Sequence, residues 1–422
     1  MAASARPPRE SGSPDEPPGP DDSGLPAYPS ARQCPFHPPA EYGRLRETQP
    51  VARVRFQEQP LWLVTSHEAA KAVLRDPRFS TDPAREGFPT GSTAPRPAPD
   101  PERRRARSFL TMDEPEHGRY RRMLIPAFGA RRTEDFRPRI EAVADDLIDR
   151  LTAGGRNRAD FVAEFALPLP SRVICSVLGI GDEGAAVFQE KSAVAMDPAR
   201  TPDERLGAAA EFTSYLADVI ADRHRSPGDD LLSRLVAEQV DTGQLDDEQL
   251  GATAMALLIA ASETTTHTLA LGLLTVTGRS GLLARIREEP TAAGPVVEEV
   301  LRMWTVPHRG LYRAAVEDVE VGGRTIRAGE GVVVSVAAAD RDPAVFDDPD
   351  TFDPDRTPRP HLAFGHGAHR CLGEPLARLE LTVALRRLAE RLPGLRPAVP
   401  ADELSFREDH FIYGLDRLPL IW

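Results

Sequence analysis

Apolar residues recur along this chain at two spacings, and the switch between them divides it into regions. Val51–Phe56 and Leu61–Thr65 alternate apolar and polar positions around a Gln-Pro break, which predicts a small hairpin. Ser66–Asp76 reads as a short helix, and Phe79–Ser108 as a loop rich in Pro, Gly and Arg. A loop of that length exceeds an ordinary connection and usually carries function. From Asp113 to Leu301 the period is mostly helical, broken at Gly154-Gly155, Gly179–Gly184, Ser226-Pro227-Gly228 and Gly243. Short strands follow over Asp318–Val336 around a Gly322-Gly323 turn, then an irregular Pro- and Asp-rich stretch, Asp340–His361. A helix over Gly373–Arg391 and a strand-like tail, Leu415–Trp422, end the chain. The expected class is α+β, mainly α with a minor β part.

One helix breaks the amphipathic rule. Gln249–Thr277 is apolar around most of its circumference, which predicts burial through the core. Asp246 and Gln249 have capping-box spacing at its start. In its middle it carries Ser262-Glu263-Thr264-Thr265-Thr266. Burying a carboxylate and hydroxyls is costly unless they have partners or a task. The structural alternative is that the threonines bond back to carbonyls one turn earlier and merely bend the helix.

Composition narrows the function. The 422 residues carry a net charge of −13, which argues against nucleic acid or an anionic membrane as the main partner. Three cysteines, Cys34, Cys175 and Cys371, are too few and scattered for a disulfide framework and suit a reducing cytoplasm. Residues 1–33 hold no apolar run of signal or anchor length, and their Pro, Ser, Gly, Asp and Arg content predicts a disordered tail. A single domain is expected over 34–422, cytoplasmic and monomeric.

The most specific motif is Phe364-Gly365-His366-Gly367-Ala368-His369-Arg370-Cys371-Leu372-Gly373, just before a helix. Its glycines let the backbone turn tightly against a flat ligand, and backbone N–H groups there can stabilise a thiolate on Cys371. A zinc site using His366, His369 and Cys371 is the alternative, but it needs further ligands at motif spacing that the chain does not offer.

This segment resembles the cysteine-ligand loop of the cytochromes P450. The resemblance implies heme b (iron protoporphyrin IX) as cofactor, with Cys371 as the iron ligand and Ala260, Phe364, Gly365 and Gly373 around the porphyrin. Thiolate ligation pushes electron density onto the iron and favours O–O cleavage. Ala260-Ala261-Ser262-Glu263-Thr264-Thr265 resembles the family's oxygen-activation motif, which gives Glu263 and Thr264 the proton-delivering role. The family often has Gly at the position of Ala261 and His or Gly at that of Ser262. Glu299 and Arg302 match its Glu-x-x-Arg helix, with Arg356 as third member of an ion triad. Asp340 stands where the family usually has Asn. His117, Arg121, Arg313 and His369 match its propionate-binding positions.

By the same resemblance the substrate cavity is lined by the Phe79–Ser108 loop and by Met255, Leu258, Ala261, Val306, Pro307, His308, Arg309, Phe411 and Ile412. His308-Arg309 is the unusual element, expected to meet a polar or acidic group on the substrate. About fifty residues follow Cys371, too few for a fused reductase. Electrons are expected from NAD(P)H through a ferredoxin reductase and a ferredoxin, docking near Arg122, Arg370 and Arg378. The implied activity is a monooxygenase acting on a small organic substrate, by default hydroxylating it, in secondary-metabolite tailoring or xenobiotic oxidation. A peroxide-using or dehydratase-like heme-thiolate enzyme, and a non-catalytic heme binder, remain as other classes.

Overall fold

The computed structural model describes residues 24–90, 108–197 and 199–422. The expectations for residues 1–23 and for 91–107, the centre of the long loop, lie outside the described residues. Residues 24–33, expected to be disordered, are folded: β1 (Ala27–Tyr28) runs parallel to β2 (Val51–Phe56), and the Tyr28 ring is buried. That ring stacks on Tyr42 with centroids 6.1 Å apart.

The hairpin forms between β2 and β3 (Gln59–Val64), but its turn is Gln57-Glu58, one step before the expected Gln-Pro break. Pro60 is tolerated inside β3 because the strand on its other side pairs only from Leu61 onward, so no neighbour requires the missing N–H. The remaining strands are β4 (Phe79–Ser80), β5 (Arg158–Asp160), β6 (Leu311–Ala315), β7 (Val319–Val321), β8 (Arg324–Ile326), β9 (Gly331–Val334), β10 (Arg396–Pro397) and β11 (Pro419–Ile421). They make a six-stranded sheet in the order β1-β2-β3-β9-β6-β4, a three-stranded sheet β10-β11-β5, and the hairpin β7-β8 closed by Gly322-Gly323. In β9 the pleat sends Val332 and Val334 to one apolar cluster and Val333 to another.

The helices build the larger body. The long helix, Asp247–Thr277, starts two residues earlier than expected on the anticipated cap. The Asp246 carboxylate accepts the Gln249 N–H at 2.8 Å, and the Gln249 side-chain oxygen accepts the Asp246 N–H at 3.0 Å. It packs against Pro168–Leu178, Pro202–Arg225, Ala293–Met303 and Glu374–Arg391. By length and composition it could cross a membrane, yet 72% of its apolar window is buried inside the fold. The helix expected over Ser66–Asp76 forms as His67–Arg75, and the one expected over Gly373–Arg391 as Glu374–Arg391.

Candidate functional site

The Cys371 loop is a tight backbone structure. Gly365 and Gly367 adopt φ of +71° and +74°, the left-handed region that favours glycine. At Gly367 a Cβ would also come within 2.4 Å of the Leu74 carbonyl oxygen, so the loop rests directly on helix His67–Arg75. The Cys371 N–H donates to the Phe364 carbonyl at 2.8 Å, and Gly365 donates to Leu362 at 2.7 Å. Gly373, in contrast, has an ordinary φ of −82° and open space where a Cβ would stand.

The Cys371 thiol is enclosed by protein while its own surface stays accessible. Burial pushes its pKa up, and the Gly373 N–H, Arg121 and Arg378 pull the other way. The Gly373 hydrogen bond and the fields of the two arginines favour the thiolate that a metal ligand requires.

Beside the loop, four basic side chains from three segments converge: His117 and Arg121 on helix Glu116–Phe128, Arg313 on β6, and His369. The His117 and His369 rings stack with centroids 3.8 Å apart, and His369 Nε2 lies 3.4 Å from the Thr81 hydroxyl. Burial, then His117, Arg313 and Arg121, press the His369 pKa down to about 3. Arg313 is lowered to about 10 by burial, with Asp113 opposing. Arg121 is lowered by burial, and the field of Cys371 opposes it. Buried basic groups, of which His369 also feels the field of the other three, gain from an anionic ligand, and paired carboxylates fit the donor set. The residues therefore suit a heme: the basic cluster would hold its propionates, and Cys371 would supply the sulfur ligand to its iron. Among the described residues no three His, Cys, Asp or Glu side chains gather to hold a bare metal ion.

On the long helix, Ile259 and Ala260 are accessible although most of the surrounding turns are buried. The Thr264 hydroxyl donates to the Ala260 carbonyl at 2.7 Å. Glu263 turns to a partner the sequence did not signal: Arg407 Nη2 lies 3.1 Å from its Oε1. Arg407 Nη1 also lies 2.7 Å from His267 Nε2, one helical turn beyond Glu263.

The ion triad assembles. Arg302 donates to both Glu299 oxygens at 2.8 and 2.7 Å, and Arg356 Nε lies 3.5 Å from Glu299. Arg302 also takes the carbonyls of Asp340 and Pro349, each at 2.8 Å, and Arg356 that of Thr351 at 3.0 Å. The irregular stretch before the Cys371 loop is thus tied to helix Ala293–Met303.

Several pocket expectations are corrected. Leu258, Val306 and Ile412 are buried in the main core rather than offered to a ligand, because their faces meet neighbouring elements. His308 and Arg309 have protein partners instead of open polar groups: His308 Nε2 lies 2.7 Å from the His410 carbonyl, and Arg309 donates to the Asp409 carbonyl at 2.6 Å. They hold the C-terminal turn. Phe411 at its tip is 48% exposed, and Met255, Ala261 and Pro307 are partly accessible. Unanticipated beside it is an aromatic wall, with Tyr312 centroids 6.1 Å from Phe411 and 6.4 Å from Phe88. On the outer side of the Cys371 loop, Arg370 is paired with Glu374, and Arg378 with Glu298 and Glu374, so two of the three docking arginines are internally neutralised.

The family described as Cytochrome P450 matches residues 37–295 and 292–392. Cytochrome P450-SU2 of Streptomyces griseolus is 45% identical over 392 residues, covering 92% of this chain and 94% of that protein. The mycinamicin IV hydroxylase/epoxidase of Micromonospora griseorubida is 42% identical over 386 residues, covering 90% and 94%. The crystal structure of cytochrome P450 MoxA from Nonomuraea recticatena superposes with a TM-score of 0.86 at 40% identity, covering 94% of this chain and 98% of that one. The family match spans the residues of the cysteine loop, the triad helix and the basic cluster alike, and the chain belongs to the cytochrome P450 family.

Proposed function

We propose that this cytochrome P450 monooxygenase oxidises a small organic molecule of secondary metabolism, hydroxylating it by default, with heme b as cofactor and electrons from NAD(P)H through ferredoxin reductase and ferredoxin. The observation that carries the reading is the Cys371 loop set beside the His117, Arg121, Arg313 and His369 cluster. The relative named as a mycinamicin IV hydroxylase/epoxidase supports the substrate class.

Each residue has a part. Cys371 gives the sulfur ligand, and the Gly373 N–H tempers its charge. The four basic side chains hold the propionates, with arginine forks suited to carboxylates. Ala260, Phe364 and Gly365 would flank the ring, and the Glu299, Arg302 and Arg356 triad ties the irregular stretch before the loop to helix Ala293–Met303. Bound heme supplies reductive activation of dioxygen, one oxygen atom going to the product and the other to water. Thr264 and Glu263 supply the protons that this stoichiometry demands. The aromatic wall of Phe88, Tyr312 and Phe411 would face an apolar substrate, and the chain from β1 onward acts as one cytoplasmic catalytic unit.

The test is the spectrum of the reduced protein under carbon monoxide. A strongly red-shifted Soret band is expected, and its loss in Cys371→His with heme retained assigns the ligand. An imidazole-type band in the unaltered protein would overturn the reading.

A further inference from the structure

We infer that Arg407 is a positioning residue for proton delivery: it fixes the Glu263 carboxylate and ties it to the turn whose tip carries Phe411. The inference rests on the reading of Glu263 and Thr264 as the proton-delivering pair.

Glu263 and His267 are four residues apart on the long helix, so they share one face. Arg407 meets both with separate nitrogens, Nη2 to Glu263 Oε1 at 3.1 Å and Nη1 to His267 Nε2 at 2.7 Å. An arginine has no acceptor, so His267 Nε2 accepts and the ring is the neutral tautomer with its proton on Nδ1. Burial, then Arg407 and His410, hold that ring neutral by pushing its pKa to about 3. The turn packs closely on this ring: a Cβ on Gly414 would stand 2.2 Å from Nδ1, so only glycine fits there. A neutral, wedged imidazole fixes one arm of the guanidinium, and the other arm therefore presents a fixed cation to Glu263.

The same arginine belongs to the C-terminal turn. Its N–H donates to the Gly414 carbonyl at 3.0 Å, closing a loop whose base is the Phe406–Leu415 bridge. Tyr413 N–H donates to Val306 at 2.7 Å, and His308 and Arg309 hold the carbonyls of His410 and Asp409. The turn is thus anchored on both sides, and Phe411 projects from its tip with 48% of its surface exposed. A ligand that presses on Phe411 acts on the segment that sets the Arg407 position. Thr264, meanwhile, is bonded to Ala260, so the acid and the alcohol reach the site from different directions and their relative placement depends on what holds the acid.

The experiment is a double-mutant cycle on the heme-loaded protein, reduced by NADPH through spinach ferredoxin and its reductase. The hydrogen peroxide released per NADPH and the solvent isotope effect on NADPH consumption are read for Arg407→Gln, Glu263→Gln and the double variant. A carboxylate no longer held spreads over its rotamers, so Arg407→Gln is expected to change both quantities by about threefold or more, in the same direction as Glu263→Gln. If Arg407 acts only through Glu263, its substitution adds nothing in the Glu263→Gln background. Arg407→Lys is expected to restore part of the effect. A second readout is independent of turnover: the carboxylate infrared band missing from Glu263→Gln shifts in Arg407→Gln, in the heme-free and loaded protein alike. Additive effects, or an unmoved band, overturn the positioning role while leaving Glu263 in place. If Glu263→Gln itself changes neither quantity, the proton-delivery reading fails and this inference fails with it.

Discussion

Asp340 shows how one side chain records a compromise. It stands where the family usually has Asn, is fully buried, and accepts the Leu362 N–H at 2.6 Å. Burial raises its pKa from 3.8 to about 6, against the opposing pull of His361, Arg302 and Arg341. The fold therefore binds this proton more tightly than the unfolded chain does. The resulting stabilisation is complete below about pH 4 and lost as the pH rises through 6, on the order of 3 kcal/mol. Asn reproduces the neutral form and keeps an oxygen for Leu362. Asp340→Asn is thus expected to raise the thermal midpoint at pH 8 by several degrees and to lose that advantage near pH 4. Calorimetry at the two pH values decides it, and a lower midpoint at pH 8 would mean the arginines favour the charge. Glu380 is a companion case. Burial alone drives it to about 8, and its Oε2 has no protein partner.

At the scale of elements, backbone shape separates two glycines that the motif treats alike. Gly367→Ala puts a Cβ on a left-handed residue and against the Leu74 carbonyl, a combined cost of about 3 kcal/mol. Gly373→Ala meets neither obstacle. The expected outcome is a lower midpoint and reduced heme content in the first and near-normal values in the second. Equal loss in both would show that Gly373 is needed by the ligand rather than by the backbone. Elements of this kind were legible because local chemistry specifies them: the Asp246–Gln249 cap, the Gly322-Gly323 turn and the Cys371 loop each carry their cause within a few residues. Strand β6 was not, since Leu311-Tyr312-Arg313-Ala314-Ala315 lacks alternation, its middle position being given to a buried arginine that serves the site. The Arg407–Glu263 pair spans 144 positions, and no short pattern encodes it. His267 carried no signal of its own, since a histidine on an apolar helix says nothing of the arginine that meets it. The roles of His308 and Arg309 were misread because their partners are backbone carbonyls, which sequence does not distinguish.

Over the whole molecule, net charge and local charge act on docking with opposite signs. The chain carries −13, so the acidic ferredoxin proposed as electron donor would be repelled at long range. Close to the Cys371 loop the field reverses: Lys71, Arg370, Arg75 and His67 all depress the His366 pKa, after burial. Arg370 and Arg378 spend their charge on Glu374 and Glu298, which leaves Lys71, Arg75 and Arg122 without an ion pair among the described residues. The screening length sorts the two terms. Near 0.01 M salt it is about 30 Å and the whole charge is felt, whereas near 0.1 M it is about 10 Å and only the local patch acts. The rate of reduction by an acidic ferredoxin is therefore expected to rise with ionic strength from the lowest values, pass a maximum, and fall as the patch itself is screened. Stopped-flow measurement of that rate from about 0.01 to 0.5 M salt reads the curve. Arg75→Glu weakens the patch by its side chain while keeping the backbone on which Gly367 rests, so it should lower the maximum and flatten the falling limb. A rate that only rises with salt, in both proteins, would place the docking face away from this patch.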